Sequence, residues 1–188
     1  MKKFIYFTTA LLLVAADCTA ETHELKMSLF DTYTVQDTDK WSVSVKRYMP
    51  IRFAELRVLP KQEKKTFNLA LYFYADTPDL AKYDTPKKMK SMLICSLEKY
   101  LPHIVEKEIK VEDISNKGWY GFKTMFTDAD LVKVKSIPDD QYLYMIRGMI
   151  RLSEESALGF SLMTNDPKSA ETKEVMDYIY SFAQEKKK

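Results

Sequence analysis

The sequence predicts an α+β protein in which a mostly antiparallel sheet of about six to seven strands packs against two helices. Several short segments alternate apolar and polar residues with period two, as strands with one buried face do. Two other segments carry apolar residues at steps of three and four, as amphipathic helices do. Most connections between the strand segments have hairpin length, which favours antiparallel pairing.

The first three predicted strands follow one another along the chain, over residues 41–48, 51–59 and 67–74. In the first, Trp41, Val43 and Val45 alternate with polar side chains, and Pro50 separates it from the second. The third alternates over eight residues and is rich in aromatic side chains, which strongly favours a strand.

A helix is predicted to follow, because Asp84-Thr85-Pro86 combines capping side chains with a proline in the first turn. Its apolar stripe comprises Met89, Met92, Leu93, Leu97 and Tyr100. Pro102 is expected to end the helix.

Four more strands are predicted over residues 104–114, 118–126, 141–152 and 157–163, and a further one near 131–136 is left open. The last two form a hairpin about the 153–156 turn. Asn165-Asp166-Pro167 is expected to cap a closing helix that extends to about Gln184. Its inward face consists of Val175, Met176, Ile179 and Phe182.

This order of elements, over residues 41–184, resembles the PsbP/Mog superfamily. That group includes photosystem-associated PsbP proteins, a Ran-binding import factor and bacterial envelope proteins similar to DcrB. The local similarities are Asp84-Thr85-Pro86 at the first helix and residues 159–164, Gly-Phe-Ser-Leu-Met-Thr, before the last one. The resemblance implies an α/β/α sandwich that serves in binding or assembly and not in catalysis.

The first twenty residues predict a cleaved secretory signal. Lys2 and Lys3 precede an uncharged apolar run from Phe4 to Ala16, which is shorter than the roughly twenty residues of a membrane-spanning helix. Small residues at Cys18 and Ala20 favour cleavage before residue 21. A periplasmic or secreted protein is therefore expected.

Cys18 offers an alternative, as the lipidated cysteine of a bacterial lipoprotein. The charged Asp17 immediately before it disfavours lipidation. The predicted organisation is a signal peptide over residues 1–20, an irregular segment over 21–40, one α+β domain over 41–184 and a charged tail over 185–188.

Charge and glycine content exclude several function classes. After removal of residues 1–20, which carry two lysines and one aspartate, 27 basic and 26 acidic residues remain. This balance lacks the basic excess of a nucleic-acid-binding protein. The four glycines all fall in predicted strands and none forms a phosphate-binding loop before a helix. No cofactor is expected.

Residues with catalytic or metal-binding potential are few. The only histidines, His23 and His103, do not supply the ligands of a zinc site. The Asp128-Ala129-Asp130 segment begins like a calcium loop but lacks the glycine and the final glutamate, which favours a capped turn. Cys95 lies among apolar residues and is expected to be buried and inert, although a Cys95–His103 nucleophile and base is the alternative.

The candidate binding residues are Trp119, Lys123, Arg147 and Arg151. Period two places Arg147 and Arg151 on one face of their strand, with Met145 and Met149, and it places Trp119 and Lys123 together on another strand. If the two faces coincide, these side chains form a shallow site for an anionic or planar ligand. The alternative is a half-solvated face on which long basic side chains cover apolar surface.

These observations lead us to expect an exported, non-catalytic binding or assembly module of the bacterial envelope. Its partner would be an envelope protein or a small anionic ligand. The alternative is a small secreted hydrolase or transferase that uses carboxylates the sequence does not identify. A pocket with converging Asp, Glu or His would favour the enzyme, and a shallow apolar or basic patch the binding module.

Overall fold

The computed structural model describes residues 21–26, 32–48, 53–75 and 84–184. Within these ranges there are nine strands and two α-helices. The strands are β1 (Thr22–Lys26), β2 (Thr32–Gln36), β3 (Trp41–Tyr48), β4 (Phe53–Pro60), β5 (Phe67–Ala75), β6 (Glu112–Asp113), β7 (Gly121–Thr127), β8 (Tyr144–Arg151) and β9 (Ser156–Thr164). The helices are α1 (Pro86–Cys95) and α2 (Ala170–Gln184), and two short 3-10 helices cover Glu98–His103 and Leu131–Lys133.

Seven strands form one sheet in the order β3-β4-β5-β9-β8-β7-β6, and every neighbouring pair is antiparallel. β1 and β2 form a separate antiparallel pair. The predicted α+β class, with a mostly antiparallel sheet and two helices, is confirmed. The paired strands β5 and β9 lie in the middle of the sheet, with β3 and β6 at its edges.

One face of the sheet carries the larger core. Alternate residues of the strands, among them Leu56, Leu71 and Phe160, are buried there against α2. The predicted inward residues of α2 are all buried: Val175, Met176, Ile179 and Phe182. The β1–β2 pair covers the same core, because Tyr33 contacts the rings of Phe73 and Phe182 at centroid distances of 5.4 and 6.5 Å.

The other face of the sheet carries a second core beneath α1. Met89 and Leu93 of α1 and Leu97 just after it are buried against Phe122, Phe126, Met149 and Ala157. The two helices therefore lie on opposite faces of the sheet. The start of α1 is as predicted: Thr85 is the N-cap, its Oγ1 accepts the Lys88 N–H at 3.3 Å, and Pro86 opens the helix.

The expectation of an irregular segment over residues 21–40 is wrong, because β1 and β2 lie within it. Leu25, Tyr33 and Val35 are buried while the residues next to them are exposed, so these strands are half-buried. Five residues of alternation in a polar sequence are a weak local signal, and packing on the larger core supplies the rest.

The expectation that helix one continues to Pro102 is also wrong, since α1 ends at Cys95 and Pro102 lies inside the following 3-10 helix. Ser96 Oγ donates to the Leu93 carbonyl at 2.7 Å, a local bond that competes with continued helix. α2 begins later than expected: Ser169 Oγ, and not a side chain of residues 165–167, accepts the Thr172 N–H at 3.1 Å.

The predicted strand over residues 104–114 shrinks to Glu112–Asp113 and an isolated bridge from Ile104 to Asp128. Between them, Glu106 Oε2 accepts the Thr127 N–H at 2.9 Å, which takes the place of a strand partner's carbonyl. Residues 131–136 contain a 3-10 turn and no strand. Gly118 lies before β7, in a turn with φ +95°, so not every glycine lies in a strand.

The predicted signal peptide over residues 1–20 and the charged tail over residues 185–188 lie outside the described residues.

Candidate functional site

A cleft of about 580 Å³ lies on the α1 face of the sheet, beside the end of the 3-10 helix Glu98–His103. Its floor is a single row of directly paired residues on four adjacent strands: Asn68 opposite Met163, Met163 opposite Met145, and Met145 opposite Phe126. Residues paired in this way carry their side chains on the same face. The floor is therefore fixed by the strand register.

The two walls of the cleft come from segments outside the sheet. Tyr100, His103 and Ile104 form one wall at the end of the 3-10 helix. The loop between β7 and β8 forms the other wall through Asp128, Asp130, Leu131 and residues 140–143. The walls are joined by backbone bonds, since the Ala129 N–H donates to His103 O at 2.9 Å and the Val105 N–H to Thr127 O at 3.0 Å.

Asn165, just after β9, holds the end of the β7–β8 loop. Its Oδ1 accepts the Leu143 N–H at 2.7 Å and its Nδ2 donates to Gln141 O at 3.0 Å. The Asp128 N–H donates to Leu143 O at 2.9 Å, which closes the loop on itself. The long loop between β7 and β8 thus has a fixed position over the floor.

The ionisable groups of the cleft are mostly acidic. Asp128, Asp130 and Asp140 line it together with His103. Asp130, Asp140 and His103 are exposed and Asp128 is half-buried, so the carboxylates form a rim above an apolar floor. Burial raises the pKa of Tyr142 on the same wall, and the Asp140 carboxylate adds to the shift.

The Asp128 side chain also stabilises the turn in which it lies. Its Oδ1 accepts the N–H groups of Asp130 and Leu131 at 2.9 and 3.0 Å. The prediction of a capped turn at Asp128-Ala129-Asp130 is confirmed. In the described part of the chain, no group of three or more His, Cys, Asp or Glu side chains is arranged to hold a metal ion.

Asn68 is the polar residue of the floor. Its Oδ1 is buried and has no hydrogen-bond partner among the described residues. A buried amide oxygen without a partner is destabilising by about 1–3 kcal/mol. Asn68 therefore presents a free acceptor in a row that is otherwise made of two thioethers and a phenyl ring.

The two predicted arginines lie on the same face as the cleft floor, and each has its own partners. Arg147 Nη1 donates to the Tyr100 hydroxyl at 3.0 Å, and its guanidinium lies 5.3 Å from the centre of the Tyr100 ring. Arg151 is about 13 Å further along β8 and donates to the backbone oxygen of Glu154. The arginines do not converge on one site.

Trp119 and Lys123 lie on the other face of the sheet. Lys123 is paired with Gly148, so its side chain is on the face opposite to that of Arg147. Its Nζ lies 3.3 Å from Glu112 Oε2. The Trp119 ring stacks on Tyr180 of α2 at 6.0 Å, and burial, followed by the Glu112 carboxylate, raises the pKa of Tyr180 to about 12. Trp119 and Lys123 therefore do not share a face of the sheet with Arg147 and Arg151, and the four residues do not form the predicted site.

The expectation that Cys95 is buried is wrong. Cys95 is the last residue of α1 and is exposed, because the apolar stripe of the helix runs through Met89 and Leu93 on its other side. His23 lies in β1 opposite Val35, and its Nε2 is 3.9 Å from Glu21 Oε1. His103, in contrast, is part of the cleft.

Some of the residues that form this cleft could be recognised in the sequence. Period two places Met145 on the face of Arg147, and a single asparagine interrupts the apolar alternation of the third predicted strand. The aspartates at 128, 130 and 140 lie in the segments around β7 and β8. Their convergence on Asn68 depends on the pairing of β5 with β9, which the sequence pattern did not specify.

Among the described residues, no helix is long and apolar enough to cross a membrane. In comparisons with known proteins, the chain has no significant match to a protein-family model, to a curated protein or to a solved structure.

Proposed function

We propose that this protein is an exported binding protein without catalytic activity, and that it captures a small ligand in the cleft on the α1 face of the sheet. The observation that carries the proposal is the construction of the cleft. Its volume of about 580 Å³ is in the range of small-molecule sites, and it combines an apolar floor with a few polar groups.

The hydrogen bonds of the polar side chains in the cleft favour a binding function over a catalytic one. The Asp128 carboxylate is engaged in its own turn. No hydrogen bond joins the His103 imidazole to a carboxylate within the described ranges, whereas a histidine that acts as a general base is normally oriented by one. In the cleft, Asn68, whose side chain does not titrate, has a buried Oδ1 without a partner among the described residues.

We also propose that the protein is exported and that its fold is similar to that of the PsbP/Mog superfamily. The Lys2-Lys3 start and the apolar run that follows support a periplasmic or secreted location. Helices on opposite faces of an antiparallel sheet are compatible with the α/β/α sandwich of the PsbP/Mog superfamily, whose binding and assembly roles agree with a non-catalytic function. An envelope protein as partner stays part of this proposal.

Methionine methyl groups provide a direct test of ligand binding. A fragment library is screened against the mature protein labelled at the methionine methyls, with assignments from Met145→Leu and Met163→Leu. We expect hits to shift the Met145 and Met163 signals and to leave Met176, buried on the other face, unchanged. If no fragment shifts the two floor methyls, or if the hits gather elsewhere, the cleft is not the binding site.

Two arginine variants provide a matched control for this test. Arg147→Ala removes the partner of the Tyr100 hydroxyl and is expected to weaken binding of uncharged fragments severalfold, because Tyr100 is a wall of the cleft. Arg151→Ala removes the same charge from the same strand, away from the cleft, and is expected to leave binding unchanged. Equal effects of the two variants would argue against a role of Tyr100 in the site.

A second candidate function is hydrolysis, favoured by the presence of His103 and three aspartates in one cleft. A broad screen of ester, amide, glycoside and phosphate substrates tests it. Turnover that is lost in His103→Ala and kept in His23→Ala would establish the enzyme and contradict the binding proposal. Absence of turnover together with bound fragments supports binding.

A further inference from the structure

The charged side chains that line the cleft include three carboxylates. Among the described residues that line it, three are aspartates and none is a lysine or an arginine. The floor adds the Asn68 Oδ1, an acceptor with no partner among the described residues. A ligand that carries hydrogen-bond donors and positive charge would be complementary to these groups.

The surfaces between these acceptors suit an organic cation better than a metal ion. The floor presents the thioethers of Met145 and Met163 and the ring of Phe126, and Tyr100 and Tyr142 stand at its sides. Hard divalent cations take six or more oxygen ligands. An ammonium group attached to an apolar body, in contrast, gains from aromatic faces and from buried apolar area.

Two cations lie beside Tyr100 at the edge of the cleft. Lys99 Nζ is 4.9 Å from the centre of the Tyr100 ring, and Arg147 stands one row of the sheet away from the floor, which is about 7 Å. Its guanidinium is covered by the Tyr100 ring and donates to the Tyr100 hydroxyl. Neither Lys99 nor Arg147 is part of the lining of the cleft. The carboxylates therefore belong to the lining of the cleft, whereas both cations stand outside it.

We propose that the cleft binds a small organic cation, an ammonium group joined to an apolar or aromatic body, with the ammonium directed to Asn68 Oδ1 and the Asp130 and Asp140 carboxylates. This inference rests on the proposed function and specifies its ligand class. It replaces the anionic ligand expected from the arginines, since the arginines do not line the cleft.

Three probes that share a phenyl ring and differ in charge test the ligand class: 2-phenylethylammonium, 2-phenylethanol and 3-phenylpropanoate. Each is titrated into the labelled mature protein at pH 7.5, and the Met145 and Met163 methyl shifts give the dissociation constants. We expect the ammonium to bind at least tenfold more tightly than the other two. Its affinity should fall between 0.05 and 0.5 M salt, because salt screens the exposed carboxylates.

Charge-neutral variants of the rim locate the interaction. Asp130→Asn and Asp140→Asn are each expected to weaken ammonium binding about two- to fivefold, the effect of one partly screened charge. Asp139→Asn removes the same charge from an exposed neighbour outside the lining and is expected to have no effect. Equal losses in all three variants would mean that general attraction, and not the cleft, binds the probe.

The outcomes separate this inference from the proposed function. Equal affinity for the three probes, or preference for the carboxylate, overturns the cationic ligand and leaves a ligand-binding cleft. Stoichiometric Ca²⁺ binding that shifts the same methyls overturns the organic cation in favour of a metal. If no probe binds but fragments of other chemistry do, only the inference fails. If neither probes nor fragments reach the floor methyls, both fail.

Discussion

Asn68 is the residue at which stability and binding are in conflict. It stands in a strand whose other residues on both faces are largely apolar, and its Oδ1 is buried without a partner in the described structure. Such a group destabilises the folded state, whereas an apolar residue of the same shape in its place is neutral or stabilising. A destabilising side chain at the floor of a cleft is typical of a residue kept for function.

Replacement of this side chain tests the conflict directly. Asn68→Leu is expected to raise the free energy of unfolding by about 1 kcal/mol, measured by urea denaturation, and to weaken binding of 2-phenylethylammonium severalfold. Met176→Leu, a near-isosteric change in α2 on the opposite face of the sheet, serves as the control and should change both quantities little. A marked loss of stability in Asn68→Leu would show that the amide is a structural group and contradict its role in the site.

At the scale of elements, the cleft depends on the position of the β7–β8 loop, which is fixed by side chains that do not line the cleft. Asn165 bonds to both Gln141 and Leu143, and Glu106 Oε1 accepts the Thr127 hydroxyl at 2.8 Å where β7 ends. Neither residue lines the cleft. Their side chains replace the backbone partners that a regular strand would have supplied.

The two hydrogen bonds of the Asn165 side chain lead to a prediction about the β7–β8 loop. Asn165→Ala is expected to cost about 1–2 kcal/mol of stability and to raise amide hydrogen exchange in residues 128–143, while β5 and β9 stay protected. Asn165→Asp keeps the acceptor for the Leu143 N–H and is expected to lose less. Unchanged exchange in the loop of Asn165→Ala would show that other contacts fix it.

At the scale of the molecule, both cores share the same strands. β8 and β9 give Ile146, Leu158 and Phe160 to the larger core, and Met149 and Ala157 to the core under α1. Loss of either core exposes one face of the strands that the other core needs. Unfolding is therefore expected to be one cooperative transition.

The two tryptophans report on opposite edges of the sheet, since Trp41 begins β3 and Trp119 lies just before β7. Trp41→Phe and Trp119→Phe each leave one fluorescent probe. In each variant, the urea transition followed by fluorescence should coincide with the transition followed by far-ultraviolet circular dichroism. Two separated midpoints within one variant would mean that the edges unfold independently.

The sequence by itself determined the α+β class and most of the elements of the fold. Strand β3 and the start of α1 agree with their predicted positions, and the buried residues of α2 are those of its apolar stripe. These features depend on local periodicity and on capping, which a short window of sequence contains. The short strands β1 and β2 were missed because their burial comes from packing on a distant core.

Only the tertiary structure decided which side chains form a site. Period two relates residues within a strand, but the face that two strands share depends on their register, and a shift of one residue reverses it. The pairing of Lys123 with Gly148 separates Lys123 from the arginines. The pairing of β5 with β9 brings Asn68 to Met163 across 95 residues of chain. The position of the site is thus a property of long-range pairing, which the local pattern does not contain.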